Sequence, residues 1–546
     1  MSERFLTHQV ENQPPSLLPY DAFSTDLPLR EALAREGGGW AQAQVQAYGV
    51  LAGGEMMALG VQANENRPTF KPVDHYGHRI DEVEFHPAYH RLMELGTQHG
   101  VSGFAWRHAD SEGAHVARAA LMYLHYQADQ GTSCPLTMTY ACVPALQQAP
   151  ELARDWLPRI VSTDYDGSHR LAWLKAGNTI GMGMTEKQGG SDVRSNTTRA
   201  TPIGDGLYEL VGHKWFFSAP MCDAFLVLAQ AEAGLTCFLL PRFAPDGSLN
   251  AVRIQRLKNK LGDWSNASSE VEFQGAVAWR VGDEGRGVAT ILQMVALTRQ
   301  DCLIGSAALM RQALVQAWHH VRHRRAFGRT LSEQPLMRNV IADLALESEA
   351  ATALTFRVAR AIDAGAFDEG EAALARVITA LGKYWVCKRA TPFVNEAQEC
   401  LGGIGYVEDS PLPRLLRQAP LNSIWEGSGN IQCLDVLRAL QREPACRAAY
   451  FRELLAARGG HVLLDAEILR LETLLGGDPT QLEGQSRLLA ERMTLALQAA
   501  LLIRHGDAAI ADSFCQSRLG HQHGLAFGTL PAAAPTAHLL ERAWPA

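Results

Sequence analysis

Cysteine is sparse in this sequence and nowhere closely paired. The 546 residues include 10 cysteines, and no two of them form a C-x-x-C pair. Zinc ribbons, thioredoxin-like redox sites and disulfide scaffolds therefore all lack their signature. We interpret the cysteines as small buried hydrophobic residues of a protein in a reducing compartment.

Long apolar runs are also missing, and basic residues are not in excess. No run reaches the roughly 18 to 20 apolar residues that span a bilayer, and the opening MSERFLTHQVENQPP contains no apolar signal segment. The net charge of −8 comes from 58 acidic and 50 basic residues. Binding to a phosphate polymer would therefore need a local basic face. We expect a soluble, cytoplasmic protein that does not enter a membrane.

The local pattern of residues changes twice along the chain. Apolar residues recur at helical spacing up to about residue 180. Short β-rich runs then alternate with turn pairs such as Asp205-Gly206 and Asp246-Gly247, which are typical of hairpins. Long helices with few breakers follow Gly287, as in an antiparallel bundle.

These changes predict a mostly α protein with a central β-domain. Four domains are expected: an N-terminal arm and helical domain (1–180), a β-domain (181–283), a helical bundle (284–445) and a further helical domain (446–546). The last 25 residues, which contain PAAAP, are expected to be a loosely ordered tail.

The sharpest chemical signal is the glycine-rich segment 183–195, GMTEKQGGSDVRS. Its backbone N–H groups and the hydroxyls of Thr185 and Ser191 can hold a bound ring or a phosphate. Because it precedes β-rich runs and does not open a helix within a βαβ unit, a Rossmann dinucleotide site is not indicated. Taken alone, the segment is equally compatible with an ordinary glycine-rich loop.

Further segments follow in an order that resembles the acyl-CoA dehydrogenase family of flavoproteins. The segments are KWFFS (214–218), RRAFG (324–328), CLGGIGY (400–406) and IWEGSGNIQ (424–432). They are similar to the family patterns K-x-W-[IV]-[TS], R-x-x-F-G, GG-x-G and I-Y-E-G-T-x-x-I-Q. The resemblance extends from the N-terminal helices to about residue 440. It implies a helical domain, a β-domain and a four-helix bundle, assembled as a homotetramer that binds FAD where β-domain and bundle meet.

The resemblance also implies which residues hold the cofactor, through hydroxyls, amides and backbone N–H groups. Ser218 would lie near the flavin N5, and Phe216 stands where the family has a tryptophan against the ring. Arg324 and Gln334 would hold the pyrophosphate. The full set is Met182, Met184, Thr185, Gly190, Ser191, Phe216, Phe217, Ser218, Arg324, Phe327, Gln334, Gly402, Gly403, Trp425, Ser428 and Asn430, with Gly402 and Gly403 acting on a neighbouring subunit.

Glu426 falls on the position of the family's catalytic base. There a carboxylate removes the proton α to the thioester while a hydride leaves the β-carbon for the flavin. Such a base needs an apolar wall, which Ile424 and Trp425 are expected to supply. The alternative is a surface carboxylate favoured at a helix start by the dipole. Arg299 and Arg438 match arginines that flank this substrate pocket.

The sequence departs from the family pattern next to Glu426. Tryptophan (Trp425) replaces the usual tyrosine, and Ser428 replaces threonine. The bulkier indole is expected to narrow the acyl pocket, which puts ordinary fatty-acyl substrates in doubt. No metal site is expected, because His319, His320 and His323 lack a third ligand at metal spacing.

The extra C-terminal region, the N-terminal arm and the local strings resemble one subgroup of this family, flavoproteins of the response to DNA alkylation. That resemblance implies a protein that binds double-stranded DNA through its C-terminal domain and protects it by shielding or by inactivating alkylating agents. It also implies at most weak isovaleryl-CoA dehydrogenase activity. The alternative is a metabolic dehydrogenase for short or branched acyl-CoA that passes electrons to an electron-transfer flavoprotein.

The C-terminal sequence itself gives little electrostatic support for DNA binding. From Gln441 onward it has ten arginines, no lysine and eleven acidic residues, whereas phosphate contacts dominate DNA affinity. No helix-turn-helix, zinc finger or RNP pattern occurs, so any binding should be largely independent of sequence. The candidate contacts are Arg487, Arg492, Arg504 and Arg518, for which a solvated face is the alternative.

Overall fold

A computed structural model describes residues 5–520 and 522–544, without the side chains of residues 479 and 480. Residues 1–4, 521, 545 and 546, which the predicted domains and tail include, lie outside the described residues. The predicted class is confirmed, because helices form the N-terminal, bundle and C-terminal parts and strands form the middle. The four domain boundaries stay predictions.

The N-terminal part consists of helices and one short hairpin. Its elements are α1 (Leu27–Arg35), α2 (Gln42–Ala52), α3 (Glu55–Glu65), β1 (Thr69–Val73), β2 (Arg79–Glu84), α4 (Pro87–Gln98), α5 (Phe104–Arg107), α6 (Ala114–Ala128), α7 (Ser133–Ala141), α8 (Val143–Leu146) and α9 (Pro150–Ile160). Asp26 caps α1 by accepting the N–H of Leu29 at 3.1 Å. Helix α6 is buried along almost its whole length and forms the centre of this part.

The middle part is a closed β-barrel. Its strands are β3 (Ile180–Gly183), β4 (Arg199–Gly204), β5 (Leu207–Ser218), β6 (Ala224–Ala231), β7 (Gly234–Pro241), β8 (Val252–Leu257) and β9 (Ser268–Val281). The sheet order is β3-β6-β4-β5-β9-β7, with β8 on β9, and pairing of β6 with β7 closes the barrel. Asp205 (φ +51°) and Gly206 (φ +72°) form the turn between β4 and β5, which confirms the hairpin predicted there.

Long helices form the bundle. Its elements are α10 (Gly287–His323), β10 (Arg325–Ala326), β11 (Arg329–Thr330), α11 (Pro335–Ala364), α12 (Glu369–Glu399), α13 (Leu412–Gln418) and α14 (Gly429–Arg442). The breaker-free stretch after Gly287 is a single helix of 37 residues. Helices α10, α11 and α12 pack on one another, and α6 joins their apolar core. The loop between α13 and α14 carries Glu426.

The C-terminal helices pack directly on this bundle. They are α15 (Pro444–Leu455), α16 (Val462–Leu475), α17 (Pro479–His505), α18 (Ala508–Phe514) and α19 (Thr536–Ala543). Helix α17 packs against α11, α12 and α14, and one apolar core is shared by all of them. The expectation of a loose tail is wrong, because α19 buries Leu539 and Leu540 and its Arg542 pairs with Glu349 at 2.7 Å.

Two expected absences concern membranes and metals. None of the described helices is long and apolar enough to cross a bilayer. Among the described residues, no group of three or more histidine, cysteine or acidic side chains is arranged to hold a metal ion.

Candidate flavin and acyl-CoA site

The glycine-rich segment is a loop between β3 and β4 that is anchored by a buried carboxylate. Glu186 accepts hydrogen bonds from Nζ of Lys214 at 2.8 Å and from the backbone N–H of Thr197 at 2.7 Å, and both charged side chains are fully buried. Burial raises the pKa of Glu186, but the charge and hydrogen bond of Lys214, with the other donors, outweigh it and lower the pKa to about 2. The loop is therefore fixed to β5 by an ionised pair.

The polar groups predicted to hold FAD are available at the surface of this loop and at the start of α14. Within the described chain, the side-chain oxygens of Thr185, Ser191 and Ser428 and the amide of Asn430 have no hydrogen-bond partner. A Cβ on Gly190 would lie 2.4 Å from Oγ1 of Thr185, so a larger residue here would displace the Thr185 side chain. Free hydroxyls and amides beside a tight glycine turn fit the polar groups of a flavin dinucleotide.

Strand β5 presents its three predicted flavin contacts in different ways. The ring of Phe216 is 52 % exposed, and Nζ of Lys258 lies 4.5 Å from its centroid. Ser218 is half-buried, with Oγ 3.1 Å from that of Ser268. Phe217 needs a correction, because its ring is buried and packs 4.4 Å from that of Phe225. Only the main chain of Phe217 can contact a cofactor.

The loop before α14 holds Glu426 from two sides. Thr298 of α10 donates its hydroxyl to Oε2 of Glu426 at 2.7 Å. Nε of Arg299 donates to the main-chain oxygen of Glu426 at 3.0 Å, and its Nη1 pairs with Asp435 at 2.7 Å. Glu426 itself is half-buried, with φ +58°. The carboxylate is thus oriented by a neutral donor while a cation fixes its backbone.

The apolar contact of this loop is made by Trp425. Trp425, Met182 and Met184 all pack against the same buried cluster, which is made mainly of barrel residues. The indole N–H of Trp425 donates to the side-chain oxygen of Asn422 at 2.9 Å, which sets the direction of the ring. Ile424 and Trp425 were expected to form an apolar wall beside Glu426. Within one subunit only Trp425 is packed in this way, because Ile424 is 62 % exposed.

The two predicted substrate-pocket arginines differ in their surroundings. Arg299 is mostly buried and paired, whereas the side chain of Arg438 is 60 % exposed and lies 4.0 Å from Asp435. Arg376 also pairs with Asp435, at 2.8 Å. Burial raises the pKa of Asp435, but hydrogen bonds and charges of Arg376 and Arg299 lower it below its usual value. An ionised Asp435 therefore holds Arg299 in place.

The remaining predicted cofactor residues lie on surfaces that no hydrogen bond joins to the glycine-rich loop within the described chain. Arg324 donates to the main-chain oxygen of Asn12 in the N-terminal arm at 2.7 Å, and Gln334 donates to that of Ala326 at 3.1 Å. Phe327 is 98 % exposed at the tip of the β10–β11 hairpin. Gly402 and Gly403 are exposed, with open space around each Cα.

The four arginines proposed for DNA do not form one basic face. Arg492 is buried against Glu467, and Arg518 is buried between Asp343 at 2.6 Å and Glu347 at 2.9 Å. Arg492 joins α17 to α16, and Arg518 joins the C-terminal part to α11. Neither guanidinium can meet a phosphate, so we withdraw both as DNA contacts.

The other two arginines are exposed. Arg504 is paired with Glu453 at 3.0 Å, and Arg487 lies beside the ring of Tyr384 near the start of α14.

Three functional contacts were not predicted from the sequence: those of Thr298, Lys383 and Gln432. Nζ of Lys383 and Nε2 of Gln432 each donate to main-chain oxygens of the Glu426 loop. Lys383 had a detectable signal, a lone charge in the apolar stretch ITALGKYWVC of a buried helix. Thr298 had none, because a threonine in a helix is ordinary.

Comparison with known proteins identifies this arrangement of barrel, bundle and carboxylate loop. Residues 12–167 match the family described as the adaptive response protein AidB N-terminal domain. Residues 181–276 and 285–441 match the middle and C-terminal domains of acyl-CoA dehydrogenases. The chain belongs to the acyl-CoA dehydrogenase family, whose members typically bind FAD, and the predicted resemblance is confirmed.

Individual relatives narrow the position of the chain within that family. It is 46 % identical to the putative acyl-CoA dehydrogenase AidB of Escherichia coli, over 95 % of this chain and 96 % of the relative. It is 33 % identical to acyl-CoA dehydrogenase family member 11 of Caenorhabditis elegans, over 86 % and 75 %. The crystal structure of Caenorhabditis elegans ACDH-11 in complex with C11-CoA superposes with a TM-score of 0.87 at 28 % identity, over 98 % and 96 %.

Proposed function

We propose that this protein is an FAD-dependent oxidoreductase of the acyl-CoA dehydrogenase type that acts in the response to DNA alkylation, with Glu426 as its base. The observation that carries the proposal is the placement of Glu426. Its carboxylate accepts from Thr298, and the preceding Trp425 packs against the same buried cluster of barrel and helix residues as Met182 and Met184. A carboxylate held at the junction of barrel and bundle is suited to removing the α-proton of a thioester.

The residues that would hold FAD are the free donors of the glycine-rich loop and of the start of α14. Thr185, Ser191, Ser428 and Asn430 offer hydroxyl and amide groups, and the exposed ring of Phe216 offers an apolar face. When bound, the flavin supplies the acceptor for the hydride from the β-carbon. The chain's own part is to hold the base, to orient the thioester and to exclude water.

The substrate class follows from the relatives and from Trp425. ACDH-11 was crystallised with C11-CoA, which supports an acyl-CoA ligand here. The indole of Trp425, fixed by Asn422, is larger than the phenol ring of a tyrosine and is expected to narrow the space next to Glu426. We therefore propose a short branched thioester such as isovaleryl-CoA, turned over weakly.

The alkylation-response role rests on similarity. The match of residues 12–167 to the AidB N-terminal domain and the 46 % identity to the Escherichia coli relative support it. Double-stranded DNA is the proposed partner, bound largely without regard to sequence, and protection would be by shielding or by chemistry. Among the arginines considered, Arg487 and Arg504 remain as contacts because they are exposed.

A homotetramer is proposed because exposed apolar side chains lie beside the predicted cofactor motifs. Phe327, Leu336 and Tyr406 are 98 %, 83 % and 85 % exposed. Large apolar groups exposed in this way favour coverage by another copy. Neighbouring subunits would bring the hairpin of Arg324 and the Gly402–Gly403 turn to each other's flavin. A cytoplasmic location stays a prediction.

The alternative is a metabolic dehydrogenase for short or branched acyl-CoA that passes electrons to an electron-transfer flavoprotein. Two measurements on the purified yellow protein decide between them. The first is titration of binding to a random-sequence duplex at increasing salt, where steep weakening supports phosphate contacts. The second is anaerobic bleaching of the flavin by isovaleryl-CoA. Fast bleaching without DNA binding at low salt would favour the metabolic enzyme.

A further inference from the structure

Lys383 of α12 makes all of its hydrogen bonds to the loop that carries Glu426. Its Nζ donates to the main-chain oxygens of Asn422 at 3.1 Å, Trp425 at 2.8 Å and Gly427 at 2.8 Å. The residue is 1 % exposed. The three N–H groups of the ammonium thus bind three carbonyl oxygens, two from residues before Glu426 in the sequence and one from the residue after it.

This arrangement is unusual for a buried lysine. The other buried lysines among the described residues pair with carboxylates, Lys175 with Asp223 and Lys214 with Glu186. Within the described part of the chain, Lys383 forms no ion pair. A buried charge is costly unless it is hydrogen-bonded, so this ammonium is tolerated only while the loop keeps its carbonyl groups turned toward it.

The loop itself needs such a support. Glu426 and Gly427 are successive residues in the left-handed region, with φ +58° and +94°. For a non-glycine residue this conformation is uncommon and persists where surrounding contacts enforce it. Nε2 of Gln432 also donates to the oxygens of both residues, at 3.1 and 2.9 Å. The turn at Glu426 is therefore held through its carbonyl oxygens.

We propose that Lys383 is a positioning residue, whose ammonium fixes the backbone turn at Glu426 and thereby aims the carboxylate at the substrate. The aim of the carboxylate rests on the proposed function, whereas the fixing of the turn does not. Lys383 touches no reacting atom and acts through Trp425 and Gly427.

Hydrogen exchange of the purified full-length flavoprotein tests the fixing of the turn. Lys383→Met removes the donors and keeps the length of the side chain, and Lys175→Met is the matched loss of a buried ammonium elsewhere. We expect the backbone N–H groups of Ile424 and Trp425, which donate to Leu421, to exchange about tenfold faster or more in Lys383→Met only. Exchange equal to the wild type in folded Lys383→Met would overturn the proposal.

A kinetic measurement tests the aim of the carboxylate. In Lys383→Met the limiting rate of flavin bleaching by isovaleryl-CoA should fall about tenfold or more. The isovaleryl-CoA concentration that gives half of this rate should change less than about twofold. An unchanged rate in a variant whose loop exchanges faster overturns the catalytic part. If the wild type does not bleach at all, the proposed function fails, while the exchange result still decides whether Lys383 fixes the turn.

A second variant covers failure of Lys383→Met to fold. Lys383→Gln keeps a shorter, neutral donor. We expect the N–H groups of Ile424 and Trp425 to exchange faster in it than in the wild type, but slower than in a freely exchanging segment. Wild-type exchange in this variant overturns the proposal. So does a Lys383→Gln chain that also cannot fold, because the lysine would then serve overall stability.

Discussion

The hydroxyl of Thr298 and the carboxylate of Glu426 are joined by a hydrogen bond of 2.7 Å that connects α10 to the loop before α14. Because α10 is buried along most of its length, this donor is fixed relative to the bundle. The carboxylate oxygen that it holds is Oε2, which leaves Oε1 as the oxygen free to accept a proton.

Loss of this donor should slow proton removal without abolishing it. Thr298→Val should lower the limiting rate of flavin bleaching by isovaleryl-CoA about threefold to tenfold, because one hydrogen bond is worth about 1 kcal/mol. Glu426→Gln should lower it about 10²- to 10⁴-fold, the usual contribution of a general base. Thr298→Ser keeps the hydroxyl and serves as the control. Bleaching at the wild-type rate by Glu426→Gln would remove Glu426 from the mechanism.

A methyl group at position 190 should expel the cofactor. In Gly190→Ala the new Cβ would lie 2.4 Å from Oγ1 of Thr185, so the Thr185 hydroxyl is displaced from its place as a flavin donor. We expect at least about a tenfold weaker retention of FAD, measured as the ratio of visible to ultraviolet absorbance after gel filtration. Gly484→Ala in α17 has open space and should retain the wild-type ratio. Full flavin content in Gly190→Ala would argue against this loop as the flavin site.

The buried pair of Glu186 and Lys214 should make stability fall in acid. The pKa of Glu186 is lowered from its ordinary value of 4.5 to about 2 in the folded chain. Its stabilisation is therefore complete above about pH 4.5 and is lost as the pH falls toward 2. Urea midpoints measured across this window should decline for the wild type. The decline should be shallower in Glu186→Gln, which starts lower because Lys214 is left unpaired.

A control separates this effect from general acid sensitivity. Glu84→Gln removes an exposed carboxylate that pairs with Lys71 at the surface, and surface pairs contribute little. Its urea midpoints should follow those of the wild type at every pH. A Glu186→Gln profile as steep as the wild type would show that this carboxylate does not dominate acid unfolding.

Removal of the hairpin's exposed ring should weaken assembly and flavin binding together. Phe327→Ser acts at the end of the bundle where α10 leads into α11, and Phe367→Ser is a matched exposed phenylalanine in the turn between α11 and α12 at the other end. Sedimentation should show subunits smaller than the tetramer for Phe327→Ser alone, with less bound FAD. A tetramer with full flavin in Phe327→Ser would place the subunit contact elsewhere.

The sequence predicted the order of the parts well because periodicity and turn chemistry are local signals. The Asp205-Gly206 turn and the long helical stretch after Gly287 are examples, since each depends on neighbours within a few residues. The segment IWEGSGNIQ likewise identified, from its residue types alone, the loop that carries Glu426.

What the sequence could not predict depends on contacts between distant residues. Arg518 and Arg492 look like any surface arginines in sequence, but their acidic partners make them interior groups. Asp343 and Glu347 lie on α11, far from Arg518 along the chain. Phe217 similarly lies between the exposed Phe216 and the half-buried Ser218, and only its contact with Phe225 shows that its ring is in the core.

Point substitutions can separate structural arginines from DNA contacts, whereas deletion of residues 446–546 would uncover the apolar faces of α11 and α12 on which α17 packs. Arg518→Met should lower the free energy of unfolding by about 1–3 kcal/mol, because Asp343 and Glu347 lose a buried cationic partner and keep only His523 and Arg389. Arg487→Gln and Arg504→Gln should change it by less than about 1 kcal/mol.

The same variants should respond differently in a salt titration of DNA binding. If Arg487 and Arg504 meet phosphates, each substitution should reduce the slope of log affinity against log salt by about 1. Arg458→Gln, which changes an exposed arginine near the end of α15, controls for the general loss of one charge. Folded Arg518→Met should keep the wild-type slope, because this guanidinium is occupied inside the protein. A smaller slope in Arg518→Met at unchanged stability would restore it as a DNA contact and contradict its structural role.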